Sequence, residues 1–220
     1  MNIKLTEISF FKGLTAEEIE KFIKSTQAKL KTYSKGTRVI EAFVPNSNIG
    51  VLIEGSAQII SLDRFGNESA GHSLKRGSML GVTSAILGET AAAGSIELLT
   101  DAAVLWIPYS ALLISGPKLG KIHGIVMKNF LESFSRRNFL MMQKINLLSQ
   151  KSIREKVIVY LMQSEKNQNS AKVKIPKRIQ LAKELECNRS ALTREIAQME
   201  AEGLVECGKN WMRLNKEKIE

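Results

Sequence analysis

Apolar positions along this chain repeat with one period before residue 117 and another after it. Thr15-Ala16-Glu17-Glu18 has the spacing of a capping box. Ile19, Phe22 and Ile23 then recur at helical intervals, which predicts a helix over about 15–27. From Tyr33 to about Pro108 the texture becomes short β-prone runs at 38–42, 49–53, 57–62, 69–74 and 104–107. Turn signals separate them at Ser34-Lys35-Gly36, Pro45-Asn46-Ser47, Arg64-Phe65-Gly66-Asn67 and Arg76-Gly77. Strands so short and so regularly interrupted imply an antiparallel sandwich or barrel.

Beyond Gly116-Pro117 the period lengthens, and a long helix is expected over roughly 118–149. Met127, Phe134, Met141 and Leu148 lie seven apart, and Phe130, Leu131 and Ile145 fall three or four residues from members of that row. Such a stripe suits a seam between two copies of the helix, with Met127, Phe130, Phe134, Met141, Ile145 and Leu148 as its residues. Arg137 and Lys144 interrupt the second heptad position, so packing of the helix on its own domain stays open. Ser152-Ile153-Arg154-Glu155 is a second capping box and starts a new helix, which makes Leu148–Lys151 a hinge. The organisation expected is 1–117, then the helix and hinge at 118–149, then a C-terminal domain at 150–220.

Within that last domain, residues 178–203 read RIQLAKELECNRSALTREIAQMEAEG. Two helices fit, about 178–185 and 188–201, with Glu186-Cys187 as the turn. Leu181, Ala182, Leu185, Leu192, Ile196 and Met199 face inward, and the small Ala182 permits close approach of two crossing helices. Asn188 is a good N-cap, leaving Arg189, Ser190, Thr193 and Arg194 outside. A helix of this kind fits the major groove of duplex DNA, where an arginine can bond guanine O6 and N7 together. The runs 204–207 and 211–214, joined by Gly208-Lys209-Asn210, suggest a hairpin wing with Lys209 able to meet phosphate. The expected DNA-binding set is therefore Asn188, Arg189, Ser190, Thr193, Arg194 and Lys209.

Charge moves the reading in the same direction. The net +10 favours a polyanionic partner, and 150–220 carries 15 Lys/Arg against 10 Asp/Glu. A hydrophobic fraction of 44% argues against global disorder. No apolar run is long enough for a membrane span, and the N-terminus does not read as a signal peptide, so a cytoplasmic protein is expected. Two cysteines, Cys187 and Cys207, exclude a disulfide-dense scaffold and read as incidental thiols. His72 and His123 stand alone, and no metal site is expected. No nucleophile–base set, P-loop or dinucleotide fingerprint appears, so an enzyme is not expected.

Taken with Tyr33-Ser34-Lys35-Gly36, Leu52-Ile53-Glu54-Gly55-Ser56 and Lys75-Arg76-Gly77-Ser78-Met79-Leu80-Gly81, the chain resembles the Crp/Fnr family of bacterial regulators along nearly its whole length. The resemblance implies an α+β fold. Its parts are an N-terminal antiparallel β-roll like a cyclic-nucleotide-binding domain, a long dimerisation helix, and a C-terminal winged helix-turn-helix. It further implies a homodimer on a near-palindromic double-stranded operator, with RNA polymerase a further partner it allows. A module of the same kind that regulates a protein partner without touching DNA is the alternative.

Departures from the family's pattern are informative. Ser190 stands where many members have a glutamate, and Glu186 replaces the glycine common in the turn. Val82 follows Gly81 where cyclic-AMP-binding members have a glutamate. Thr90–Gly94 lacks their arginine, and Met141-Met142 replaces their polar pair on the long helix. A cyclic phosphate buried without cation or donors would be costly, so tight cyclic AMP binding is not expected. Val82, Ala92, Ala93, Met141 and Met142 either hold a small apolar or aromatic effector or simply fill the core. No cofactor is expected, and the effector stays unknown.

Overall fold

Strand β3 (Asn48–Glu54) is buried along both faces, and the rest of the N-terminal half is arranged around it in the computed structural model. The structure describes residues 5–62, 65, 67–88 and 94–219. Successive side chains of a strand point to opposite sides. Ile49, Val51 and Ile53 accordingly enter one core, and Leu52 enters another. Strand β8 (Ala102–Pro108) does the same, with Ala103, Leu105 and Ile107 on the first side and Ala102 and Val104 on the second. These two strands pair from Asn48 opposite Pro108 to Glu54 opposite Ala103 and form the middle of a four-stranded sheet. Its outer strands are β1 (Lys29–Tyr33), beside β8, and β6 (Met79–Leu80), beside β3.

A second four-stranded antiparallel sheet runs β2 (Arg38–Ile40), β7 (Gly94–Leu98), β4 (Ala57–Leu62) and β5 (Glu68–Leu74). Ile40, Ala57, Leu74, Ile96 and Leu98 pack with Leu52, Leu80 and Val104 in the second core. Gly55 turns β3 into β4 at φ +89°, and a Cβ there would stand 2.5 Å from the Asp101 carbonyl oxygen. Only glycine takes that conformation without strain. Residues 29–32 of β1 are all exposed, with Lys29 and Lys31 among them.

The other side of β3 and β8 is covered by helices. Two single 3₁₀ turns precede α1 (Ala16–Thr26). The capping box is complete: the Thr15 N–H donates to Glu18 Oε2 at 2.8 Å and the Glu18 N–H to Thr15 Oγ1 at 3.3 Å. Phe10, Phe11 and Phe22 meet edge to face with centroids 5.0–6.1 Å apart, the arrangement that ring quadrupoles favour. After β6 comes the short α2 (Val82–Leu87), and after β8 come α3 (Tyr109–Ile114) and α4 (Gly116–Leu119). Gly120 at φ +50° then precedes the long helix α5 (Lys121–Leu148), which starts three residues later than the hydrophobic period suggests.

The chain forms two compact units, Met1–Phe134 and Ser135–Glu220, and α5 runs through the boundary without a break. Its first half belongs to the first unit. Ile122, Val126 and Phe130 join the core that holds Phe10, Phe11 and Phe22. Buried Asn129 donates to the carbonyls of Phe10 and Lys12 at 3.1 and 2.8 Å, and His123 Nε2 meets the Leu112 carbonyl at 2.9 Å.

The second unit contains the end of α5, α6 (Ile153–Gln168), β9 (Val173–Lys174), α7 (Arg178–Glu184), α8 (Arg189–Ala201), β10 (Val205–Cys207) and β11 (Trp211–Leu214). Ser152 completes the second expected capping box, its Oγ accepting from the Glu155 N–H at 3.1 Å. Leu147, Val157, Leu161, Leu192, Ile196 and Met212 lie in one core, and the three strands pair in the order β10-β11-β9.

The Asn129 side chain satisfies two carbonyls that tie α5 to the N-terminal segment. Asn129→Ala is expected to destabilise the first unit by about 1–3 kcal/mol, the usual penalty for orphaned buried acceptors. Urea denaturation followed by fluorescence of Trp106 checks it.

Candidate nucleic-acid interface

Two helices and the turn between them set the geometry of the candidate site. Leu181, Ala182 and Leu185 from the first, and Leu192, Ile196 and Met199 from the second, are buried together. The turn closes by two reversed backbone bonds. The Cys187 N–H reaches the Ala182 carbonyl at 3.0 Å, and the Glu186 N–H reaches the Lys183 carbonyl at 3.2 Å. This is a Schellman ending, and it places Glu186 at the residue that must be left-handed. Its φ is +49°. The carboxylate-bearing residue therefore stands where glycine would be unstrained.

Asn188 caps α8 as its sequence position suggests: its Oδ1 accepts the N–H groups of Ser190 and Ala191 at 2.8 and 3.2 Å. Arg189, Ser190, Thr193 and Arg194 are all exposed on one face of the helix. Thr193 Oγ1 donates to the Arg189 carbonyl at 2.9 Å, which leaves its lone pairs to accept. Among the described residues the guanidinium groups of Arg189 and Arg194 have neither an ion pair nor a hydrogen bond.

The acidic side of α8 is occupied. Arg154 on α6 donates through Nε to Glu195 at 2.7 Å and through Nη1 and Nη2 to Glu202 at 2.7 and 3.0 Å. The fork on Glu202 lowers that carboxyl's pKa, with Gln198 adding to it, and the same bonds raise the guanidinium. Both carboxylates are thus held away from the exposed arginines.

The hairpin of β10 and β11 lies beside the helices, and Lys209 is exposed in its turn. The third strand brings two more cations that sequence reading overlooked. Lys174 pairs opposite Trp211, and Lys172 Nζ sits 4.5 Å from the Trp211 ring centroid. The alternation Lys172-Val173-Lys174, apolar inward and cationic outward, was the available signal. Arg213 is engaged by Glu206. The second unit carries 18 Lys/Arg against 10 Asp/Glu, while the first carries 14 against 12. Eight of the ten net positive charges therefore belong to the unit that presents these arginines.

Of the residues expected at the helix seam, Phe130 is the one that is buried. Phe130 is only 5% exposed and packs in its own domain's core, which leaves it no surface for a second chain. Its neighbour Leu131 is 56% exposed. Phe134, Met141 and Ile145 are exposed, Met127 is half-buried against the first core, and Leu148 is half-buried. Leu131, Phe134, Asn138, Met141 and Ile145 follow alternating steps of three and four, a heptad row with one polar member.

Val82 is buried in the first unit's core, Met141 and Met142 are exposed and belong to the second unit, and Ala92 and Ala93 lie outside the described residues. Burial pushes the thiols of Cys187 and Cys207 upward, with Glu200 adding to the rise at Cys207, so neither is activated as a thiolate. No helix among the described residues is long and apolar enough to cross a membrane.

No family model and no curated relative matches the sequence. Solved structures do. The Thermus thermophilus catabolite activator protein is 19% identical, with a TM-score of 0.55 and 94% of both chains covered. The Xanthomonas campestris global regulator CLP, described as c-di-GMP responsive, is 18% identical with a TM-score of 0.55, over 91% of this chain and 99% of that one. CprK complexed with OCPA is 15% identical with a TM-score of 0.58, over 89% of each. The Crp/Fnr-type fold expected from the sequence is thereby established for nearly the whole chain.

Glu186→Gly relieves the left-handed strain at the helix turn at the cost of a looser unfolded chain. A net gain of about 0.5–1 kcal/mol is expected. It should appear as a rise of a few degrees in the melting temperature of the second unit by calorimetry.

Proposed function

We propose that this chain is a DNA-binding transcription regulator of the Crp/Fnr type, acting as a homodimer that reads a near-palindromic operator with α8 in the major groove. One observation carries the reading. Arg189 and Arg194 project unpaired from one face of a capped helix in a unit that holds eight of the ten net charges. A structural arginine would normally be tied into an ion pair, as Arg154 is. Two free guanidinium forks are what guanine edges and phosphates require.

Lys209, Lys174 and Lys172 flank the reading face and supply phosphate contacts, which position the helix without specifying sequence. Ser190 offers a hydroxyl in place of a carboxylate, so it does not favour cytosine. In the dimer, Leu131, Phe134, Met141 and Ile145 form the seam, and Asn138 fixes its register. That arrangement sets two α8 helices about one turn of DNA apart. Its unpaired arginines also favour this reading over a module that binds only a protein partner.

The sensory half does not hold cyclic AMP tightly on this reading. Val82 contributes neither charge nor hydrogen bond, and Met141 and Met142 replace polar groups. Isothermal titration with cyclic AMP is expected to show no affinity in the micromolar range; a micromolar or tighter site would reverse this assignment.

Selection of bound duplexes from a random-sequence library with the purified chain tests the whole reading. It is expected to return a two-fold symmetric site with half-sites about 10–11 base pairs apart. Failure to retain duplex even at low salt would overturn it. On the selected site, Arg194→Ala is expected to weaken binding at least about tenfold, from the usual worth of a bidentate base contact.

A further inference from the structure

Helix α7 ends with carbonyls that its own backbone cannot satisfy. Leu181 O accepts from the Leu185 N–H, and the two bonds of the turn occupy the carbonyls of Ala182 and Lys183. The next two, Glu184 O and Leu185 O, accept no backbone N–H among the described residues. Both are met by ammonium groups from other helices. Lys144 Nζ, from the last turns of α5, donates to Glu184 O. Lys156 Nζ, from α6, donates to Leu185 O at 3.2 Å.

Helix C-termini carry partial negative charge, so a cation there gains both a hydrogen bond and a favourable dipole contact. Lys144 also explains an irregularity of the sequence: it breaks an apolar row because it belongs to this cap and not to a seam. The same turns of α5 are anchored twice more. Gln163 Nε2 donates to the Gln143 carbonyl at 3.0 Å, and Leu147 is buried in the second unit's core. One face of that turn thus carries exposed Met141 and Ile145, while the other holds the end of α7.

We propose that Lys144 and Lys156 are positioning residues for the helix-turn-helix: they clamp the turn at 185–188, fix the start of α8, and support DNA affinity without touching DNA. The affinity part rests on the DNA-binding reading above; the clamp itself does not. A shift of the last turns of α5 would then move the turn directly through Lys144.

The test compares Lys144→Met, Lys156→Met and Lys144→Arg in the full-length chain. Amide hydrogen exchange is measured at Leu185, Cys187 and Leu192, with Val157 and Leu161 on α6 as controls. Either methionine variant is expected to exchange about tenfold faster at the turn and unchanged at the controls, while Lys144→Arg stays near the parent. Affinity for one duplex of the selected pool should fall about tenfold with an unchanged salt slope.

Unchanged exchange at the turn would overturn the clamp, as would general loss of protection across α6, which would make the lysines supports of the whole core. A salt slope reduced by about 0.9 per lysine would mark them as phosphate contacts and also overturn it. If the parent chain retains no duplex at all, the DNA reading fails, and the exchange rates alone still decide the clamp.

Discussion

Everything in this molecule depends on α5 being a single uninterrupted helix with its two ends sunk in different hydrophobic cores. Val126 and Phe130 are held among the phenylalanines of the first unit, and Leu147 among the leucines of the second. Between the anchors lie Leu131, Phe134, Met141 and Ile145, apolar and exposed. Exposed apolar rows of that length mark an interaction surface. The same helix thus carries residues of both cores and an exposed apolar row between them.

The second unit uses its charges with a clear division of labour. Arg154 binds Glu195 and Glu202 at the flank of α8 and so ties the helix to α6. Lys144 and Lys156 occupy the open end of α7. Among the cations left outward are Arg189 and Arg194 on the helix and Lys172, Lys174 and Lys209 on or beside the small sheet. Half-exposed ion pairs contribute modestly to stability. Their larger effect here is to hold the Glu195 and Glu202 carboxylates on the side of α8 that meets α6.

Much of this was legible in the sequence because it is written locally. Thr15, Ser152 and Asn188 are caps, and caps announce helix starts within four residues. The hairpin strands and the turn at Glu186 are equally local. Other features were hidden by their dependence on distant partners. Phe130 and Leu131 are adjacent and both apolar, and only the fold decides which one faces Phe10 and Phe22. Strand β1 reads Lys-Leu-Lys-Thr-Tyr and becomes a strand because β8 supplies its hydrogen bonds. Lys144 looked like a flaw in an apolar row until the end of α7 was seen to need a donor. The expected effector residues have no such local signature, Val82 belonging to one unit and Met141 and Met142 to the other.

The outer strand β1 has a consequence for how the protein behaves when crowded. It is hydrogen-bonded along one side only, and a bare strand edge invites the corresponding edge of another molecule. Lys29 and Lys31 stand at alternate positions on that edge, so two such strands laid side by side would bring like charges together. That edge of the roll is thereby guarded against stacking into fibres.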